Sequence, residues 1–199
     1  MRMSALEKRF VNSPSHTQRV AEQAYQLLGH IDCKSAWRYL DVGCGVGTAA
    51  RKIAATSDLS VTGIDVDPKQ IQAAKSDSPR PNLQYKVMDA TKLEFADGAF
   101  DVVASRMATR HIPHWERALT KMVCVLPPGG YLVYSDFVFP SWLAKVAGLI
   151  RFLRFPTTMG LNLAAERNGL APVYESRRSG KVDVIWRKNG NSREAGSPA

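Results

Sequence analysis

Apolar residues along the chain fall into short runs separated by segments of helical character. Five runs have the length and the β-branched and aromatic content of buried strands, namely 37–42, 59–65, 83–88, 100–105 and 131–136. Helices are predicted between them at 48–56, 68–75 and 113–126. Asp67 suits the N-cap of the second of these helices because Pro68 follows it. Strands separated by helices predict a parallel sheet wound on both faces.

Another helix is predicted before the first strand. Ser13 suits its N-cap position, and Pro14 suits the first helical position. An apolar stripe at helical spacing then continues to Gly29, which suits a C-cap.

A glycine-rich turn joins the first strand to the next helix. Gly43, Gly45 and Gly47 alternate there, so a ligand can lie against bare main chain. Asp41 stands two residues before the first glycine, and Thr48 stands where a dinucleotide motif requires its third glycine. The turn therefore indicates a ligand site of a non-dinucleotide kind, or a tight connection that binds nothing.

Acidic residues follow the second and third strands. Asp65 comes 22 residues after Gly43, where a carboxylate can accept both hydroxyls of a ribose. A dinucleotide enzyme places an acid similarly, and a simple helix cap would also explain Asp65. Asp89 and Ala90 follow the third strand, and the alternative explanation of Asp89 is that it is a turn residue without a ligand. Carboxyl ends of parallel strands are the expected ligand edge of such a sheet.

These features together resemble the class I S-adenosylmethionine-dependent methyltransferases. The resemblance rests on D-V-G-C-G-V-G-T at 41–48, on 87–103, on T-R-H-I-P at 109–113 and on L-P-P-G-G at 126–130. Arg110 replaces the first histidine of the family's H-H-L-P loop, and Pro127 replaces the lysine of its L-K-P-G-G turn. The resemblance covers 37–136 and is closest to the ubiquinone and menaquinone biosynthesis type.

The resemblance implies an α/β, Rossmann-like, doubly wound sheet of seven strands, mostly parallel with an antiparallel last strand. It places a helix at 161–168 and the final strands at 172–177 and 182–187. We expect one domain at 1–188, comprising a helical cap at 1–36, a cofactor core at 37–136, a lid insertion at 137–160 and the final elements at 161–188. The polar segment 189–199 is an expected disordered tail.

The implied cofactor is S-adenosylmethionine, and no metal is expected. In the family the glycine turn holds the methionine end, the acid after strand two holds the ribose, and the acid after strand three holds the adenine. The positions thus assigned to the cofactor are Asp41, Gly43, Cys44, Gly45, Gly47, Asp65, Val66, Asp89, Ala90, Ser105 and Arg106.

Methyl transfer is an in-line displacement, which needs a general base only when the nucleophile starts protonated. His111 is the candidate base, with a structural imidazole as its alternative. Arg110 and His16 are further catalytic candidates. The N-terminal helix covers the active site in similar enzymes, so Arg19 and Tyr25 are candidates for substrate contact. No N-P-P-Y-type tetrapeptide follows strand four, which argues against DNA amine methylation.

The insertion after strand five carries an apolar helical face at 142–155 flanked by Lys145 and Arg154. Such a helix can lie peripherally on an anionic membrane, its basic side chains beside an apolar face. In the quinone-type enzymes that this segment resembles, a lid covers a lipophilic substrate. A cap helix packed on its own protein is the alternative.

Composition is that of a soluble domain, since 45% of residues are hydrophobic and 23% are charged. No signal peptide or apolar run of transmembrane length is evident, and Cys33, Cys44 and Cys124 lack metal spacing, so a cytoplasmic location is expected. The net charge is +9, of which segment 141–190 carries +6.

The predicted function is therefore methyl transfer to a small, lipophilic or amphipathic acceptor. An RNA methyltransferase that uses the basic C-terminal face is one alternative, although a solvated basic face would explain the charge. A non-catalytic S-adenosylmethionine-binding module is another alternative.

Overall fold

A computed structural model describes residues 13–76, 80–138, 156–178 and 180–190 of the chain. Its strands are β1 (Arg38–Val42), β2 (Ser60–Asp65), β3 (Leu83–Val87), β4 (Val102–Arg106), β5 (Tyr131–Phe137), β6 (Leu170–Arg178) and β7 (Lys181–Lys188). Its α-helices are α1 (Pro14–Leu28), α2 (Thr48–Thr56), α3 (Pro68–Ser76), α4 (Trp115–Cys124) and α5 (Thr158–Arg167). Single 3-10 turns lie at Ala90–Lys92 and Thr109–His111.

The strands form one seven-stranded sheet in the order β3-β2-β1-β4-β5-β7-β6. Strands β1 to β5 pair in parallel, and β7 runs antiparallel to both β5 and β6. This confirms the predicted fold class. Strand order reverses between β1 and β4, so their carboxyl ends border the crevice where ligands bind in sheets of this kind.

Two apolar layers cover the sheet, one on each face. One face of β1, represented by Leu40 and Val42, packs with α4 and α5. The other face, represented by Tyr39, packs with α1, α2 and α3. Because both faces are covered, the central strands are nearly continuous apolar runs rather than alternating ones.

Several boundaries differ from their predictions. β4 extends to Arg106, and β6 spans Leu170–Arg178, longer than 172–177. α4 is shorter than 113–126: His114 occupies its N-cap position, and the Nζ of Lys188 binds the carbonyl oxygens of Val123 and Leu126 near its C-terminal end. These contacts come from distant parts of the chain, so local sequence does not reveal them.

The start of α1 is correctly placed, but its capping differs from the prediction. Ser13 occupies the N-cap position and Pro14 follows it, yet the Ser13 hydroxyl makes no capping hydrogen bond. The hydroxyl of Thr17 donates to the carbonyl oxygens of Ser13 and Pro14, which does not satisfy the free N–H groups of the first turn. For the second predicted cap, Asp67 accepts the backbone N–H of Lys69, as expected at the start of α3.

Parts of the predicted organisation lie outside the described residues. These parts are 1–12 of the N-terminal cap, 139–155 of the insertion with its amphipathic helix 142–155, and 191–199 of the tail. In the regions that are described, none of the helices combines the length and apolar character needed to cross a bilayer.

Candidate functional site

A cavity of about 390 Å³ lies at the carboxyl ends of β1, β2 and β4. The glycine turn and the acids after β2 and β3 line one end of it. The first turn of α1 and the loop after β4 line the other end. Its volume lies within the range of pockets that bind cofactors and small molecules.

The glycine turn is shaped by two close approaches and one opening. Gly43, Gly45 and Gly47 all have positive φ, at 75°, 54° and 77°. A Cβ on Gly43 would lie 2.5 Å from the Cβ of Ala108, and a Cβ on Gly47 would lie 2.4 Å from the hydroxyl of Tyr85. Nothing lies within 4 Å of the corresponding position on Gly45, so the bare backbone there faces open space. Gly47 does not line the cavity.

Asp65 connects the glycine turn to β2. Its Oδ2 accepts the backbone N–H of Gly45 at 3.0 Å, and its Oδ1 accepts that of Asp67 at 2.9 Å. Both contacts hold the carboxylate at the cavity wall, where Val66 lies beside it. Carboxylate oxygens have further lone pairs, so hydroxyl groups of a ligand can still bind.

Asp89 and Ala90 lie at the same end of the cavity. The Oδ1 of Asp89 accepts the N–H and the hydroxyl of Thr91 at 2.8 and 2.9 Å, which caps the short 3-10 turn. Asp89 is exposed and Ala90 is buried. This half of the cavity is therefore rich in carboxylate acceptors for polar hydrogens.

Asp41 and Arg106 form a buried ion pair under the glycine turn. The Nη2 of Arg106 lies 2.9 Å from the Oδ1 of Asp41, and its Nη1 donates to the hydroxyl of Tyr39 at 2.8 Å. Burial raises the pKa of the Asp41 carboxyl, and the nearby guanidinium opposes that rise. Burial also raises the pKa of Tyr39 to about 12, which keeps its phenol protonated.

The same pair leaves two polar atoms without partners. The Oδ2 of Asp41 and the Nε of Arg106 are buried and make no hydrogen bond within the described structure, although both residues line the cavity. Buried polar atoms without partners are rare in folded proteins, so these two atoms call for a functional explanation. A ligand with an ammonium group and a carboxylate, as an amino acid has, complements these two atoms.

Ser105 and Cys44 differ in their relation to the cavity. Ser105 is buried, its hydroxyl lacks a partner in the described structure, and it does not line the cavity. Cys44 lines the cavity, and burial raises the pKa of its thiol, so the thiol stays protonated. A protonated thiol is a poor nucleophile, so Cys44 contributes shape rather than reactivity.

The other end of the cavity carries most of the chain's histidines. Of four histidines, His16, His111 and His114 line it. Burial and the nearby cations Arg19, Arg110 and Lys181 lower the pKa of His16, which keeps this imidazole neutral near pH 7. Among the residues that the structure describes, no three His, Cys, Asp or Glu side chains could hold a metal ion together.

Apolar side chains line the cavity together with these histidines. They are Val20 from α1 and Met107, Ala108, Ile112 and Pro113 from the loop after β4. Met107 has a φ of 54°, a left-handed conformation that is unusual for a methionine and is held by the bond from its N–H to the Ser135 carbonyl. No local sequence signal predicts this conformation. Val20, four residues after His16, lies on the same helical face and was recognisable by that spacing.

Two other predicted residues on α1 do not line the cavity. Tyr25 is exposed beneath the Nζ of Lys52, and Arg19 is exposed with its guanidinium 3.4 Å from the Nδ1 of His16. Arg110 also lies outside the cavity, behind His111. It pairs with Asp136 at 3.1 Å.

Basic side chains on the C-terminal strands make contacts within the fold. Arg177 pairs with Glu175, and Lys181 binds Gln23 and lies near Asp183. Arg187 binds the carbonyl oxygen of Gly129. These contacts partly compensate the positive charge of this face.

Comparisons with known proteins find similarity to methyltransferases. A family model described as a methyltransferase domain matches residues 40–134. The 27-O-demethylrifamycin SV methyltransferase of Amycolatopsis mediterranei is 31% identical over 146 residues, which are 71% of this chain and 48% of that protein. The 2-methyl-6-phytyl-1,4-hydroquinone methyltransferase of Synechocystis is 39% identical over 99 residues, 49% of this chain and 31% of that protein.

The solved structure of the [4+2]-cyclase SpnF has a TM-score of 0.75 and 18% identity, covering 87% of this chain and 82% of that one, which shows the fold alone. The chain spans between about a third and a half of the length of the relatives it matches. The matched motifs, the sheet order and the cavity agree, and the chain belongs to the class I S-adenosylmethionine-dependent methyltransferase superfamily.

Proposed function

We propose that the chain transfers a methyl group from S-adenosylmethionine to a small, lipophilic or amphipathic acceptor. The observation that carries this proposal is that one cavity contains both kinds of lining. Polar groups line it at the glycine turn, and apolar and histidine side chains line it at α1 and the loop after β4. Two relatives are named for a rifamycin and for a phytyl hydroquinone, which supports an acceptor of this class.

The residues at the glycine turn fit the cofactor. Gly45 leaves open space where a ligand can approach the backbone, and the unpartnered atoms of Asp41 and Arg106 complement the ammonium and carboxylate of its amino-acid end. We assign the ribose hydroxyls to Asp65 and the adenine to Asp89 and Ala90. Neighbouring wall residues complete this half of the site: Gly43, Cys44 and Val66.

The acceptor then belongs at the α1 end. When bound, the cofactor supplies an electrophilic methyl group on a sulfonium. The chain aligns the acceptor and excludes water through Val20, Met107 and Ile112, and alignment of two reactants can contribute roughly 7–11 kcal/mol. A protonated nucleophile would need a base, and His16 and His111 are the predicted candidates at this end.

Label transfer tests this function. The protein is incubated with methyl-labelled S-adenosylmethionine and a cell extract, and the products are divided into organic, small aqueous, protein and nucleic-acid fractions. We expect label in the organic fraction with wild-type protein and with Asp58→Ala, an exposed acid outside the cavity. We expect none with Asp65→Ala.

Two results would contradict the proposal. Label in nucleic acid would identify the RNA methyltransferase instead, and loss of labelling as salt rises would then be expected. Cofactor binding without label in any fraction would support the non-catalytic module.

A further inference from the structure

The loop after β4 holds an arginine between a carboxylate and an imidazole. Arg110 stands where the family's loop pattern has its first histidine. Its Nη1 lies 3.1 Å from the Oδ1 of Asp136, and its Nε lies 3.1 Å from the Nε2 of His111. Asp136 is 1% exposed, whereas His111 lines the cavity, so Arg110 links a buried acid to the cavity wall.

The donor and the acceptor of each hydrogen bond in this side-chain network follow from the chemistry of the groups. Asp136 accepts the hydroxyl of Thr109 at 2.7 Å and the N–H of Phe137 at 2.8 Å, in addition to Arg110. Since the Thr109 proton points to Asp136, the hydroxyl of Tyr134 donates to Thr109 across their 2.7 Å contact. A guanidinium can only donate, so the bond from Arg110 requires the Nε2 of His111 to accept.

An accepting Nε2 defines the state of the imidazole. It carries no proton, so His111 is neutral and its single proton lies on Nδ1. Protonation of Nε2 would break the bond from Arg110 and place two positive charges in contact. The Asp136 carboxylate does little to stabilise a charged His111, because its oxygens already accept four hydrogen bonds.

We propose that Arg110 is a positioning residue that holds His111 neutral, with its proton on Nδ1, at the acceptor end of the cavity. The catalytic meaning of this state rests on the proposed function. In methyl transfer, an imidazole held in this way does not take a proton at Nε2. Because His111 then does not act as the base, the methyl acceptor must either ionise in water or react without losing a proton to this residue.

Charged and titratable groups from four elements surround this end of the cavity. They are Arg110 and His114 on the loop after β4, His16 and Arg19 on α1, Asp136 on β5, and Lys181 and Asp183 on β7. Asp136 and Asp183 are each engaged with a cation, Arg110 and Lys181. The same cations lower the pKa of the neighbouring His16, after the larger effect of burial, which agrees with a neutral imidazole environment.

Nuclear magnetic resonance of histidine nitrogens tests the proposal in the full chain without any acceptor. Long-range ¹H–¹⁵N spectra of ¹⁵N-histidine protein report tautomer and charge for each ring between about pH 5.5 and pH 8, the range in which an ordinary imidazole titrates at about 6.5. Substitution of each histidine in turn by glutamine assigns the four rings. In wild-type protein we expect His111 to remain neutral with its proton on Nδ1.

Two variants of Arg110 and one control complete the test. In Arg110→Met we expect His111 to titrate at about pH 6.5. In Arg110→Lys, one ammonium cannot reproduce the fork that spans Asp136 and His111, so the Nδ1–H form is also expected to be lost. Arg19→Met, which removes the cation beside His16, should alter the His16 ring and leave His111 unchanged.

A wild-type His111 with its proton on Nε2, or charged near pH 6.5, would overturn the proposal. So would an Arg110→Met spectrum in which His111 is the same as in wild-type protein. Amide spectra verify that each variant is folded, and the wild-type measurement decides the question even if a variant does not fold. The result does not depend on methyl transfer, so failure of the proposed function would be seen separately.

Discussion

Arg106 and Asp41 stabilise each other in a place where neither charge would be tolerated alone. Both side chains are 3% exposed, and they lie 65 residues apart in the sequence. The strand order explains their contact, because β1 pairs with β4 and Asp41 lies opposite Ala104, two positions before Arg106. Removal of one member of such a pair leaves an uncompensated buried charge.

We therefore expect Arg106→Met to lower the free energy of unfolding by about 3–5 kcal/mol, measured by urea denaturation. Arg38→Met is the matched control, since it removes an arginine from the Asp101 ion pair at the surface and should cost about 1 kcal/mol or less. The double variant Asp41→Asn with Arg106→Gln removes both charges and should recover part of the loss. Equal costs for Arg106→Met and Arg38→Met would show that burial of the pair contributes little.

At this scale the sequence revealed candidate residues but not their partners. The three glycines were predicted together because of their spacing, yet only Gly45 faces open space, while Gly43 and Gly47 accommodate Ala108 and Tyr85. Arg106 was assigned to the cofactor without any sign of its bond to Asp41. Such pairings depend on strand order and register, which local sequence does not encode.

The helix α1, which packs on the sheet through apolar side chains, is also hydrogen-bonded to it through one glutamine. Gln23 donates to the hydroxyl of Ser135 at 3.1 Å and to Asp183 at 2.7 Å, and it accepts from the Nζ of Lys181 at 2.6 Å. Its neighbour Glu22 pairs with Lys52 at the surface. This polar network on β5 and β7 therefore helps to position the residues of α1 that line the cavity.

Gln23→Ala should loosen α1 while leaving the sheet intact. Loss of a buried hydrogen-bond partner costs about 1–3 kcal/mol, which corresponds to a roughly fivefold to 150-fold rise in local opening. Hydrogen exchange of peptides from α1 should increase by this factor, and exchange in β1 and β4 should stay unchanged. Glu22→Ala, the control in the next position, should have a much smaller effect. Similar exchange in the two variants would contradict the anchoring role of Gln23.

The sequence predicted the helices and strands better than their ends. Five strands were found from apolar runs, because buried parallel strands are short apolar runs bounded by turn residues, and the family resemblance placed the last two. The C-terminal end of α4 was placed two residues too far, and the side chain of Lys188, on the last strand, binds the carbonyl oxygens of Val123 and Leu126 there. Helix ends completed by distant side chains are beyond local prediction.

At the scale of the whole molecule, the fold is shared with proteins of more than one activity. A [4+2]-cyclase shares this fold with a TM-score of 0.75, so overall architecture alone does not identify the chemistry. The chain also matches only part of the length of its relatives. Binding of the cofactor itself is therefore the property to test on the intact domain.

A ligand that binds only the folded chain stabilises it by mass action, by about 2.7 kcal/mol at a concentration one hundred times its dissociation constant. For a domain of this size, each kcal/mol raises the melting temperature by about 2–4 °C. We expect S-adenosylhomocysteine at that concentration to raise the melting temperature of wild-type protein, and of Asp58→Ala, by about 5–10 °C. Asp65→Ala should remain folded and lose this shift, because the carboxylate that shapes the turn and faces the ligand is gone. A full shift in Asp65→Ala would mean that the cofactor binds elsewhere, since no other change in that variant could restore the lost acceptor.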